Sequence, residues 1–107
     1  HLIHTSEHDA GAMARAGVIA TLLPAAAFFL KLGRYAPARM FVARGVPVAL
    51  ATDMNPGGGF TASMPFVMTL ACFAMGLTLE EAIVGATANA AAAPGLADDY
   101  QVKLEVF

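Results

Sequence analysis

Two short apolar runs, Val18 to Leu23 and Pro47 to Thr52, interrupt a chain that otherwise has the spacing of helices. Neither run alternates between apolar and polar positions. Pro24 closes the first and Asp53 the second. Short continuous apolar runs predict strands covered on both faces, as in parallel sheets. Helices are predicted around them. Ser6 with Asp9 has the spacing of a capping box, ahead of an alanine-rich run to Ala16 that Gly17 stops. Ala25 to Tyr35 reads as an apolar connection with a helical turn at Ala26–Leu30. Pro37 to Ala43 reads as helix, with Pro37 in the first turn and Gly45 as the stop. Ser63 caps a further helix that runs to Met75. Thr78 and Glu81 form a second capping box, opening a last helix carried to about Ala93, before Pro94-Gly95. The tail from Asp98 to Phe107 is more polar and holds a strand candidate at Val102–Val106.

Strands alternating with helices predict an α/β fold whose parallel strands are joined by right-handed crossovers. Composition adds a constraint. Apolar residues make up 58% of the 107 positions and charged residues 13%, against about 45–50% and about 25% in ordinary soluble domains. Two parallel strands with that much apolar surface do not close a core by themselves, since both faces and both edges want partners. The chain therefore reads as an incomplete domain. A membrane role is disfavoured. Met54 to Leu79 carries no charge, but it opens with the loop-forming Asn55-Pro56-Gly57-Gly58-Gly59. The dense apolar stretch that follows is shorter than the roughly 20 residues of a spanning helix. No basic-then-apolar leader pattern is visible at the start. The net charge of −2 with scattered basic residues gives no stripe for nucleic acid. Cys72 lacks an intrachain partner and reads as a small core residue in a reducing compartment, so cytoplasm is expected.

The chemistry concentrates at Asp53. A lone carboxylate at the carboxyl end of a parallel strand occupies the position where α/β enzymes gather reactive groups. A turn-capping role before Asn55-Pro56-Gly57 satisfies the same pattern. Asn55 supplies two donors and an acceptor, while Gly57 and Gly58 let backbone N–H groups approach a ligand. His4 and His8 have the i, i+4 spacing of a zinc pair but read better as a solvated helix start. Glu80 and Glu81 suit the first turn of a helix. Met64, Met68, Met75, Phe66 and Phe73 read as core filling.

The segment Gly45 to Gly59, GVPVALATDMNPGGG, together with Leu22 to Leu30, LLPAAAFFL, resembles the imidazolonepropionase family of the amidohydrolase superfamily. The resemblance runs from about Leu2 to Leu96. It implies the C-terminal part of a (β/α)8 TIM-like barrel, about strands six to eight and the following helices, over residues 1–97. Residues 98–107 would be a tail starting the return to a small β domain. It further implies a metal-dependent hydrolase of the cyclic amide of 4-imidazolone-5-propanoate, acting in histidine degradation as a homodimeric parent. Asp53 would bind one zinc or iron ion and accept the proton of the attacking water. His1, which precedes Leu2 as the family's catalytic histidine does, would orient that water or polarise the ring carbonyl. Asn55, Gly57 and Gly58 would contact the small-molecule substrate. Gly58 departs from the family pattern, which has serine or threonine there, so its contact would be by backbone alone. The other metal ligands are expected upstream of His1, so the chain is not expected to be active alone. Two further readings remain: another amidohydrolase such as an aromatic deaminase, and a noncatalytic binding or membrane-associated module.

Overall fold

Ser6 and Asp9 do form a reciprocal capping box, and the chain begins with the helix they start, α1 (Glu7–Arg15). The computed structural model describes residues 1–96. From α1 the order continues β1 (Ala20–Leu22), α2 (Pro24–Phe29), α3 (Ala38–Ala43), β2 (Val48–Leu50), α4 (Met64–Phe73), α5 (Leu79–Ala86) and α6 (Ala88–Ala92). The strands pair parallel, with Ala20 opposite Val48 and Leu22 opposite Leu50. The α/β reading with parallel strands therefore stands for the described residues. The strand candidate at Val102–Val106 and the tail boundary at residue 98 lie outside them.

Both strands are shorter than their apolar runs. The ladder covers three residues on each side and is flanked by Ala20 N–H to the Pro47 carbonyl and Ala51 N–H to the Leu22 carbonyl. Among the described residues, no strand residue stands opposite Val18, Ile19 or Thr52, so they stay outside the ladder as connections. All three residues of β2 are buried, whereas Thr21 in the middle of β1 is half-exposed. Phe41, Leu22, Val46 and Val67 are the largest fully enclosed hydrophobic side chains, and they join the sheet to α3 and α4.

Three helical expectations change. α2 begins at Pro24 itself, because proline at a first helical position loses no bond and already has helical φ. Pro37 is the cap of α3 rather than part of its first turn. The helix expected from Thr78 to about Ala93 is broken at Thr87, whose φ of −123° and ψ of −87° are not helical. The Thr87 hydroxyl donates to the Ile83 carbonyl at 2.7 Å, which satisfies that carbonyl in place of the helix ladder. The break turns α6 so that both pieces pack on β2. Gly85 of α5 lies over the Val48 carbonyl and Leu50, and Asn89 of α6 reaches the same carbonyl.

Among the residues expected to fill the core, Met75 is buried in it, and Met64, Met68, Phe66 and half-buried Cys72 pack against the buried cluster. Phe73 is 89% exposed. Val67 and Ala71 define the inward face of α4 four residues apart, and Phe73 follows Ala71 by about 200° around the helix. Two arginines find acidic partners across the fold: Arg39 pairs with Glu81, and Arg44 with Glu7. Both pairs are at the surface, where such contacts contribute about 0–1 kcal/mol. No helix among the described residues is long and apolar enough to cross a membrane.

Candidate active site

The site is built where β2 ends. Past Leu50 the chain leaves the strand and two residues later turns at Asp53, whose φ is +50°. A non-glycine residue in this left-handed region costs roughly 1–2 kcal/mol, least for Asp and Asn. The next residues hold the turn in place. Asn55 N–H donates to the Gly59 carbonyl at 3.0 Å, and Gly59 N–H returns to the Asn55 carbonyl at 3.1 Å. This closes a small loop around Pro56, Gly57 and Gly58 as an isolated antiparallel pair.

The Asn55 side chain fills the inside of that loop. Its Nδ2 donates to the Asp53 carbonyl at 2.7 Å and to Asp53 Oδ1 at 3.0 Å. Its Oδ1 accepts from Gly57 N–H at 2.8 Å. Both amide hydrogens are committed, and one lone pair on Oδ1 remains. Gly58 N–H donates to the Asn55 carbonyl at 3.3 Å. The N–H groups of Gly57 and Gly58, expected to face a substrate anion, are thus both turned onto Asn55. A ligand would have to share or replace those bonds.

His1 and Asp53 come together although 52 positions separate them. His1 Nε2 lies 3.7 Å from Asp53 Oδ2, with the two side chains 46% and 29% exposed. That distance exceeds a direct hydrogen bond and is within reach of an ion pair or a bridging water. His4 and His8 join no cluster of possible metal ligands among the described residues. His8 Nδ1 stands 3.9 Å from its neighbour Asp9, and His4 lines an open groove of about 610 Å³ with His1, Asp9, Met13, Leu30 and Leu32. Asp53 does not line that groove, so the groove is beside the carboxylate rather than around it.

The two sequence segments that carry the family resemblance meet here. The ring of Phe29, near the end of α2, lies against Gly59 so closely that a Cβ at residue 59 would collide with it. Phe29 is steadied by Phe28, with ring centroids 5.5 Å apart, and Phe28 stacks edge-on against Phe66 of α4 at 5.4 Å. The aromatic pair of LLPAAAFFL thus supports the loop that holds Asp53. Gly58 is buried, and a Cβ there would lie 2.9 Å from Asp53 Oδ2 and 2.8 Å from Asn55 Nδ2. Sequence reading singled out Asp53, His1, Asn55, Gly57 and Gly58 but missed Gly59 and Phe29. The third glycine of the run was the available signal for Gly59.

A metal at this site would find one suitable carboxylate in Asp53 and a nearby imidazole in His1. No group of three or more His, Cys, Asp or Glu side chains that could hold an ion occurs among the described residues. Zinc sites take three or four protein ligands. Asp53 suits the part of one ligand, and the described residues supply no complete set.

No family model matches the chain. Curated relatives do. It is 57% identical over 95 residues to the imidazolonepropionase of Syntrophobacter fumaroxidans, covering 89% of this chain and 22% of that protein. It is 52% identical over 93 residues to the imidazolonepropionase of Alkaliphilus metalliredigens, covering 87% and 22%. With that of Parabacteroides distasonis the identity is 50% over 99 residues, covering 92% and 24%. The chain spans about a fifth of the length of these relatives.

Proposed function

We propose that this chain, which is homologous to one segment of the imidazolonepropionases, is the C-terminal barrel portion of an enzyme that hydrolyses 4-imidazolone-5-propanoate to N-formimidoyl-L-glutamate. The observation that carries the reading is Asp53. It sits at the mouth of a parallel strand, partly exposed, braced on one side by Asn55 and facing His1 on the other. In the parent, β1 and β2 would be the seventh and eighth strands of a (β/α)8 barrel, whose reactive residues gather at the carboxyl ends of the strands. Water adds to the ring carbonyl carbon and the carbon–nitrogen bond of the cyclic amide breaks. Asp53 accepts a proton from that water and passes one to the departing nitrogen. His1 orients the water or polarises the carbonyl. Asn55 has one Oδ1 lone pair free for a substrate N–H, and the small Gly57 and Gly58 allow the substrate to come close to the loop. A zinc or iron ion, held by Asp53 and ligands from the rest of the parent, would acidify water and polarise the carbonyl. A cytoplasmic, homodimeric parent is part of this reading.

The test is Asp53→Asn in the full-length parent, following loss of imidazolonepropanoate with metal content measured alongside. The side chain keeps its shape and loses its proton-accepting charge, so kcat should fall by about 10²- to 10⁴-fold. Retention of most of the wild-type kcat with metal bound would remove Asp53 from the mechanism.

A further inference from the structure

We propose that Asn55 is a positioning residue for Asp53, acting through the carboxylate more than through substrate. Three observations converge. Both hydrogens of the Asn55 amide point at one residue, its carbonyl at 2.7 Å and its carboxylate at 3.0 Å. The opposite end of the amide is fixed by Gly57 N–H at 2.8 Å, so the group cannot swing toward a ligand without breaking three bonds. Asp53 itself has a left-handed φ of +50°, a conformation that persists where its surroundings impose it. The backbone pairing of Asn55 with Gly59 then ties the amide to a loop that Phe29 covers.

A side chain so placed sets which carboxylate oxygen is free. Oδ1 takes the Asn55 hydrogen, and Oδ2 is left facing His1. Fixing that choice matters because misplacing a reacting group by about 1 Å can cost 10²-fold in rate. The inference rests on the proposed role of Asp53, but it separates from the substrate-contact role of Asn55 in what each predicts. Loss of a substrate contact raises KM and leaves the carboxylate where it was. Loss of a positioning contact lowers kcat and loosens whatever Asp53 holds.

The experiment compares Asn55→Ala and Asn55→Asp with wild type in the full-length parent. Asn55→Asp keeps the acceptor for Gly57 N–H, and hence the loop, while removing both donors to Asp53. Expected in both variants are a kcat lowered by about 10- to 100-fold and weaker retention of bound metal on dialysis, as when an outer partner of a metal ligand is lost. KM should change little. Crystal structures of the variants should show Asp53 moved from its wild-type rotamer. An undisturbed Asp53 with a KM raised tenfold or more and unchanged kcat would overturn the proposal and return Asn55 to substrate binding. If wild-type parent did not turn over imidazolonepropanoate, the functional reading would fail. The crystal structures and metal retention would then still decide the positioning role.

Discussion

Asn89 of α6 donates from Nδ2 to the Val48 carbonyl of β2 at 2.8 Å, across 41 positions of sequence. Successive carbonyls of a strand point to opposite edges, and Pro47 and Ala49 flank the pairing with β1, so the Val48 carbonyl points away from it. Asn89 therefore satisfies an outward-facing group of β2 that no strand among the described residues pairs. Asn89→Ala leaves that carbonyl without its partner and should destabilise the fold by about 1–3 kcal/mol. Urea unfolding of the full-length parent measures it.

Gly58 is the place where this chain departs from the pattern it resembles, and its surroundings explain what a side chain would do. A Cβ would press on Asp53 Oδ2, Asn55 Nδ2 and the Asp53 carbonyl at 2.8–3.0 Å. The resembled pattern places serine or threonine here, so the loop can yield by the few tenths of an ångström that a Cβ demands, and Gly58→Ser in the parent should keep kcat within about tenfold of wild type while shifting KM. Steady-state kinetics reads the effect, and a larger fall in kcat would show that Gly58 itself is needed to seat the Asp53 carboxylate.

Asp9 has its carboxyl held below the ordinary carboxylate range, first by the Ser6 hydroxyl and then by the Ser6 backbone N–H. A carboxyl with a depressed folded-state pKa contributes stability above its unfolded value, and that contribution disappears as pH falls through the folded one. Ser6→Ala should raise the Asp9 pKa toward its usual value and weaken the acid-side dependence of α1 stability. A carbon-detected NMR titration of Asp9 in both proteins gives the direction.

Phe28, Phe29, Leu30 and Leu32 are each more than 40% exposed, and Phe60 and Phe73 more than 80%. Exposed apolar surface of this density marks a face that belongs against something else. The isolated 107-residue chain should bind a dye such as ANS and self-associate as concentration rises, by light scattering. A monomer with a sharp, concentration-independent thermal transition would show that these faces need no cover.

Local signals in the sequence determined the local structure. Ser6 with Asp9 and Thr78 with Glu81 fixed two helix starts, because a capping box closes within four residues and needs nothing distant. Ser63 did the same for α4, its hydroxyl accepting from Phe66 N–H at 3.2 Å. The apolar runs announced two buried strands and the acid at the end of the second. Their lengths were not legible, since a strand extends only as far as its partner does. Nor was the break at Thr87, which follows from two short helices sharing one strand. The meeting of Phe29 with Gly59 depended on the parallel pairing of β1 and β2, which sets the carboxyl ends of both strands side by side, and that of His1 with Asp53 on the packing of neighbouring Ile3 into the core. The sequence could name Asn55 as a hydrogen-bonding residue. Only the tertiary structure decided where those bonds go, because the direction of an amide is set by the loop that closes around it.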